Sequence, residues 1–180
     1  MKEQRDIYLH KIPFMLKKKW LVFYTKSRNE KSAYKNLLKF GFEPYLPLQK
    51  VLRQWSDRKK KVELPLFNSY IFVRDHESRI PDILQIPGVS WNIRHNQKPA
   101  VLRDKELDTI KRFIESGLTI EIGSVEDLEK GDQVKIMDGP LRGAIGYLSG
   151  EYNEQKFTIE IESIDQVMKV SIDKRLLKKL

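Results

Sequence analysis

KGDQVKIMDGPLRGAIGYL, residues 130–148, decides how the C-terminal third is read. Val134 and Ile136 alternate with polar neighbours, the period of a strand with one buried face. Asp138, Gly139 and Pro140 then break the run, because glycine admits turn angles and proline cannot donate to a ladder. Arg142 follows, and Gly143 and Gly146 open the next strand. Period 2 returns at Phe157, Ile159 and Ile161, and again at Met168, Val170 and Ile172. Turns fall at 138–143, 153–155 and 163–165. Short strands at this spacing predict a small all-β barrel over residues 129–180.

Working back toward the N-terminus, the pattern changes. Residues 19–25 read as a strand with Trp20, Val22 and Tyr24 on one face and Leu21 and Phe23 on the other. Two apolar faces predict a central strand. Ser27 with Glu30 predicts a capped helix, with Ala33, Leu37 and Phe40 inward and Gly41 as its stop. Residues 42–48 carry two prolines and read as an extended edge. Residues 50–55 and 61–64 read as hairpin arms around a basic tip, 56–60. Pro65–Val73 reads as a second aromatic strand, 79–85 as a short helix and 89–94 as a further strand. Asn96-Gln97 reads as a turn, and Asp104 as the cap of a helix with Leu107, Ile110 and Ile114 inward. Loops too short for parallel crossovers predict an α+β fold with a mainly antiparallel sheet. The expected division is an extension over 1–18, a first domain over 19–117, a linker over 118–128 and the barrel.

The 180 residues carry a net charge of +9, unevenly placed. Residues 1–117 hold 25 Lys and Arg against 13 Asp and Glu, a balance of +12. Residues 118–180 hold 9 against 12, a balance of −3. A basic first module suits a polyanion such as nucleic acid, and equally a merely soluble basic domain. The absence of cysteine excludes disulfides and Cys-ligated zinc. No apolar run is long enough to span a bilayer, and the composition points to a cytoplasmic protein. His10, His76 and His95 lack metal-ligand spacing, and no phosphate loop or nucleophile motif is present. A non-enzymatic binding protein without a cofactor is expected.

Read in order, WLVFYTKSRNEK (20–31), GFEPYLPL (41–48), PLFNSYIFV (65–73) and PGVSWNIRHNQKPAVL (87–102) resemble NusG-type transcription elongation factors. The 130–148 segment resembles the KOW motif of the same family. PLFNSYIFV is similar to the RfaH-like branch, and HNQKPAVL to the UpxY-like antiterminators of capsular polysaccharide operons. The resemblance implies an N-terminal NGN-like antiparallel sheet flanked by helices, followed by an SH3-like KOW barrel. It implies a monomer whose first domain docks on the clamp helices of the RNA polymerase largest subunit and promotes read-through. The KOW domain would recruit either Rho or a small-subunit ribosomal protein. A general NusG-like factor and a ribosome-associated KOW RNA-binding protein are the alternatives.

The resemblance also assigns residues. Trp20, Val22, Tyr24, Phe67, Tyr70 and Phe72 become candidates for the polymerase pocket, with plain sheet core as the competing reading. The pattern expects an aromatic where Asn92 stands. Lys26, Arg28, Lys31, Lys35 and Lys39, with Asn36 beside them, become candidates for non-template DNA, against a solubilising helix face. Arg53, Trp55, Arg58, Lys59, Lys60 and Lys61 form a hairpin that would reach upstream DNA, against a solvated turn. Gly139, Pro140, Leu141, Arg142, Gly143 and Gly146 make the KOW corner, with partner contact expected at Leu141, Arg142 and Phe157.

Overall fold

The computed structural model describes residues 17–54, 59–126, 131–149 and 156–180. Most of the extension, the hairpin tip with Trp55 and Arg58, the end of the expected linker and the turn at 153–155 lie outside them. Two compact units result. One runs to Leu46 and resumes over Ser69–Leu102; the other holds Pro47–Asn68 and Arg103–Leu180.

In chain order the elements are β1 (Lys19–Thr25), α1 (Glu30–Lys39), β2 (Pro44–Tyr45), β3 (Leu48–Gln54) and β4 (Lys59–Pro65). Next come β5 (Tyr70–Asp75), α2 (Ile80–Leu84), β6 (Val89–Asn92), β7 (Arg94–His95), β8 (Lys98–Pro99), β9 (Val101–Leu102) and α3 (Asp104–Glu115). The last are β10 (Glu121–Ser124), β11 (Gln133–Ile136), β12 (Ile145–Ser149), β13 (Lys156–Ile161), β14 (Gln166–Val170) and β15 (Leu177–Lys179).

The first unit is built on β1. Its sheet runs β2-β5-β1-β6, with β9 also paired to β1, and every pairing is antiparallel. Leu21 and Phe23 pair with Val73 and Ile71 and join Ala33, Leu37, Ile83 and Val89 in one apolar core. Gly88 lets the chain pass close to α1. Its φ is +98°, and a Cβ there would sit 3.2 Å from the Ala33 methyl. Asn96 and Gln97 have φ of +49° and +64°, the backbone a two-residue hairpin turn requires, and they join β7 to β8.

Several local expectations are corrected. Asn29, not Ser27, precedes α1, and no side chain caps it. Glu30 is buried and accepts the Ser69 N–H at 2.8 Å, so a tertiary bond replaces the capping box. Phe40 lies beyond the last helical residue and is exposed. Phe67 precedes β5 rather than lying in it, although it is fully buried. On α3 it is Phe113, rather than Ile114, that is fully buried.

The second unit contains the β3–β4 hairpin and a six-stranded antiparallel sheet, β10-β14-β13-β12-β11-β15. Part of the expected linker is therefore strand: β10 pairs with β14 over Glu121–Ser124. Helix α3, expected from the sequence to close the first domain, belongs to this unit. Its buried Glu106 accepts the Ser163 N–H at 3.1 Å and the Ser163 hydroxyl, and also takes the Arg103 N–H at 2.9 Å. Phe113 and Phe157 lie 6.3 Å apart between ring centroids. Arg112 donates to the Arg142 carbonyl at 2.7 Å. The Glu162 carboxylate, 2.8 Å from Arg103, hydrogen-bonds its guanidinium and raises its pKa, with the charge of Glu106 adding.

Gly146 carries the tightest constraint in this sheet. A Cβ there would lie 2.3 Å from the Thr158 carbonyl oxygen and 2.8 Å from the Phe157 ring. Gly146→Ala is expected to lower unfolding free energy by about 1–3 kcal/mol, the cost of overpacking. Urea denaturation followed by circular dichroism measures it.

Candidate polymerase and nucleic-acid interfaces

Alternation along β1 turns Trp20, Val22 and Tyr24 away from the α1 core. Val22 pairs with Phe72, and Tyr24 pairs with Tyr70 on one side and Trp91 on the other. Tyr45 pairs with Phe72. One aromatic face results. The Tyr24 ring lies 4.6 Å from Tyr70 and 4.9 Å from Trp91. The Tyr24 and Tyr70 hydroxyls are hydrogen-bonded at 2.8 Å. Trp20 meets Tyr45 edge-on at 6.0 Å.

Exposure grades this face. Val22 and Phe72 are fully buried, and Tyr70 nearly so. Trp20, Tyr24 and Tyr45 are half-buried, and Trp91 is 57% exposed. The accessible part is therefore a rim of rings over an apolar floor. Phe67 belongs to the other compact unit. Trp91 and Tyr45 were missed in the sequence. The alternation rule carried from β1 to β6 in the register Tyr24↔Trp91 would have found Trp91. Asn92 stands opposite Phe23 and donates its amide to the Val22 carbonyl at 2.9 Å.

The basic candidates of α1 are placed as a group. Lys26, Arg28, Lys31, Lys35 and Lys39 are all exposed. Arg28 is held at φ +59°, a left-handed conformation that costs a non-glycine residue about 1 kcal/mol. Asn36 is occupied within the fold. Its amide donates to the Pro87 carbonyl at 2.9 Å, tying α1 to the turn before β6. In the hairpin, Arg53 pairs with Lys60 and Leu52 with Lys61. Lys60 and Lys61 are exposed, and Leu52 is exposed beside them.

At the 138–143 corner, Gly139 and Gly143 have φ of +81° and +85°. The Gly143 N–H donates to the Ile136 carbonyl at 2.8 Å, closing the turn. Leu141 and Phe157, expected to touch a partner, are each 1% exposed. They anchor the turn and the sheet from inside, while Pro140 and Arg142 are exposed. Among the described residues no group of three His, Cys, Asp or Glu could hold a metal ion. None of their helices is long and apolar enough to cross a membrane.

Comparison with solved structures places this architecture. A structure described as domain interaction in Thermotoga maritima NusG aligns at 22% identity, covering 91% of this chain and 98% of that one, with a TM-score of 0.55. The likeness is one of fold, that of a NusG-type transcription factor. The MjSpt4:Spt5 complex in conformation B aligns at 15% identity over 89% of this chain and 95% of that one, with a TM-score of only 0.30. The family described as transcription termination factor NusG matches residues 18–111. The chain belongs to the NusG family.

The graded exposure predicts a split between two variants. Trp91→Ala removes an exposed ring and is expected to change stability by no more than about 0.5 kcal/mol. Phe72→Ala opens a cavity and is expected to cost about 3–5 kcal/mol. Parallel thermal melts of the two proteins check this.

Proposed function

We propose that this chain is a cytoplasmic transcription elongation and antitermination factor. In this reading its aromatic β1–β5–β6 face receives the clamp helices of bacterial RNA polymerase. The observation that supports it most is the exposed Trp91 beside half-buried Trp20, Tyr24 and Tyr45 in a chain of the NusG family. Rigid aromatics give large contact area with few torsions to freeze, which suits a docking anchor. The polymerase-binding NGN domain would be built on the β1 sheet, and the KOW domain on the sheet of β10 to β15. The latter would hold Rho or a small-subunit ribosomal protein.

The α1 stripe and the β3–β4 hairpin would track the displaced non-template strand or upstream DNA through their phosphates. The five exposed cations from Lys26 to Lys39 support that assignment. The resemblance of HNQKPAVL (95–102) to UpxY-like proteins supports a specialised target, a capsular or exopolysaccharide operon.

The test is transcription in vitro by purified bacterial polymerase, on the operon leader and on an unrelated template. Read-through on the leader alone is the expected result. Equal effects on every template would instead favour a general factor, and no effect would reject the proposal. Tyr24→Ala with Trp91→Ala is expected to weaken polymerase binding at least about tenfold, since each hot-spot ring contributes roughly 1–2 kcal/mol or more.

A further inference from the structure

The β3–β4 hairpin is a sheet of two strands only. A two-stranded ribbon has little stability or direction of its own in water, so contacts outside it must aim it. Its base is closed by the Leu66 N–H, which donates to the Pro47 carbonyl at 2.8 Å. Leu66 and Phe67 are buried just beyond β4. These contacts fix where the ribbon starts, not which face it turns outward.

The register divides the ribbon into two faces. Gln49 stands opposite Leu64 and Val51 opposite Val62, and these residues are half-buried. Lys50 stands opposite Glu63 and Leu52 opposite Lys61, and these are exposed. The ribbon therefore has an inner and an outer face. Lys50, absent from the cations singled out in the sequence, belongs to the outer one.

One polar contact pins the inner face. The Gln49 side-chain carbonyl accepts the Ile120 N–H at 2.8 Å, across a separation of 71 residues. Ile120 is buried and immediately precedes β10. Glu121, the first residue of β10, pairs with Lys169 of β14 and makes an ion pair with Lys156. The Ile120 N–H is thus held by a strand that is itself fastened to the sheet. A buried backbone donor needs an acceptor, and Gln49 supplies it from the hairpin. Apolar contact at Val51, Val62 and Leu64 is non-directional, whereas a hydrogen bond has a preferred angle. Of these inner-face residues, Gln49 carries the angular constraint.

We propose that Gln49 is a positioning residue. By accepting the Ile120 N–H it sets the roll of the β3–β4 ribbon and turns Lys50, Leu52 and Lys61 outward to upstream DNA. The inference rests on the reading of this hairpin as a DNA-reaching arm, and it adds what aims the arm. The cations make the contact, and Gln49 acts through them. The segment before β10 becomes the rest on which the arm is steadied.

The chain has no cysteine, so Leu52→Cys gives a single attachment point for an iron–EDTA chelate on the outer face. Hydroxyl radicals from the chelate cut nearby DNA in elongation complexes assembled with bacterial RNA polymerase. With Gln49 intact, a narrow cluster of cuts in the upstream duplex is expected. Gln49→Met keeps the side-chain length and removes the acceptor. It is expected to spread or shift the cuts while polymerase binding is retained. Hydrogen exchange at the Ile120 amide should quicken at least about fivefold, the effect of taking the acceptor from one buried donor. Gln49→Asn, one methylene too short for the bond, should repeat this result and so exclude misfit of the methionine as its cause. Gln49→Glu keeps an acceptor oxygen and is expected to restore both the narrow cluster and the slow exchange, a rescue that a merely space-filling role would not give. Cuts from the Gln49→Met protein that match the parent in position and width would overturn the inference. An absence of upstream cuts with Gln49 intact would instead reject the hairpin's DNA role, and this inference with it.

Discussion

Everything in the first unit depends on burying one strand from both sides. β1 is interior to its sheet, so successive residues must satisfy two different environments at a period of two. Leu21 and Phe23 meet the α1 and α2 core. Trp20, Val22 and Tyr24 meet the aromatic residues of β2, β5 and β6. A one-residue slip would exchange these faces and expose the aliphatic core. The same constraint that fixes the fold therefore fixes which rings are presented, and the two cannot be varied independently.

The second unit is held by a different kind of contact. Glu106 is a buried carboxylate that accepts bonds from Arg103 and Ser163. Its removal would take away the carboxylate that accepts the buried Ser163 N–H, a loss of about 1–3 kcal/mol. This polar tie, with Phe113 against Phe157, gives α3 its place on the sheet. It has no signature in a hydrophobic pattern, because a glutamate on a helix reads as a solvated residue.

That contrast explains what could be read from the sequence. Strand alternation exposed β1, β11, β13 and β14, and the glycine and proline punctuation exposed the 138–143 turn. The basic side of α1 followed from helical spacing alone. What escaped depended on tertiary choice. Glu30 bonds Ser69 instead of capping α1. Residues 121–124 pair with β14 because that edge was open to them. Trp91 joined the aromatic face only once the register against Tyr24 was known. The opposition of Lys135 and Lys178 across β11 and β15 likewise required a strand pairing between residues more than forty positions apart.

The two units also divide their electrostatics differently. In the first, the cations of α1 stand in a stripe on an exposed helix face. In the second, Lys135 and Lys178 are brought opposite each other only through sheet registration. The most direct test of the central claim, that the aromatic face is the polymerase-docking site, is hydroxyl-radical footprinting of Trp91. Because the ring is 57% exposed, it should oxidise readily in the free protein. The account predicts strong protection of Trp91 on adding purified bacterial RNA polymerase. Oxidation at an undiminished rate in a verified complex would contradict it.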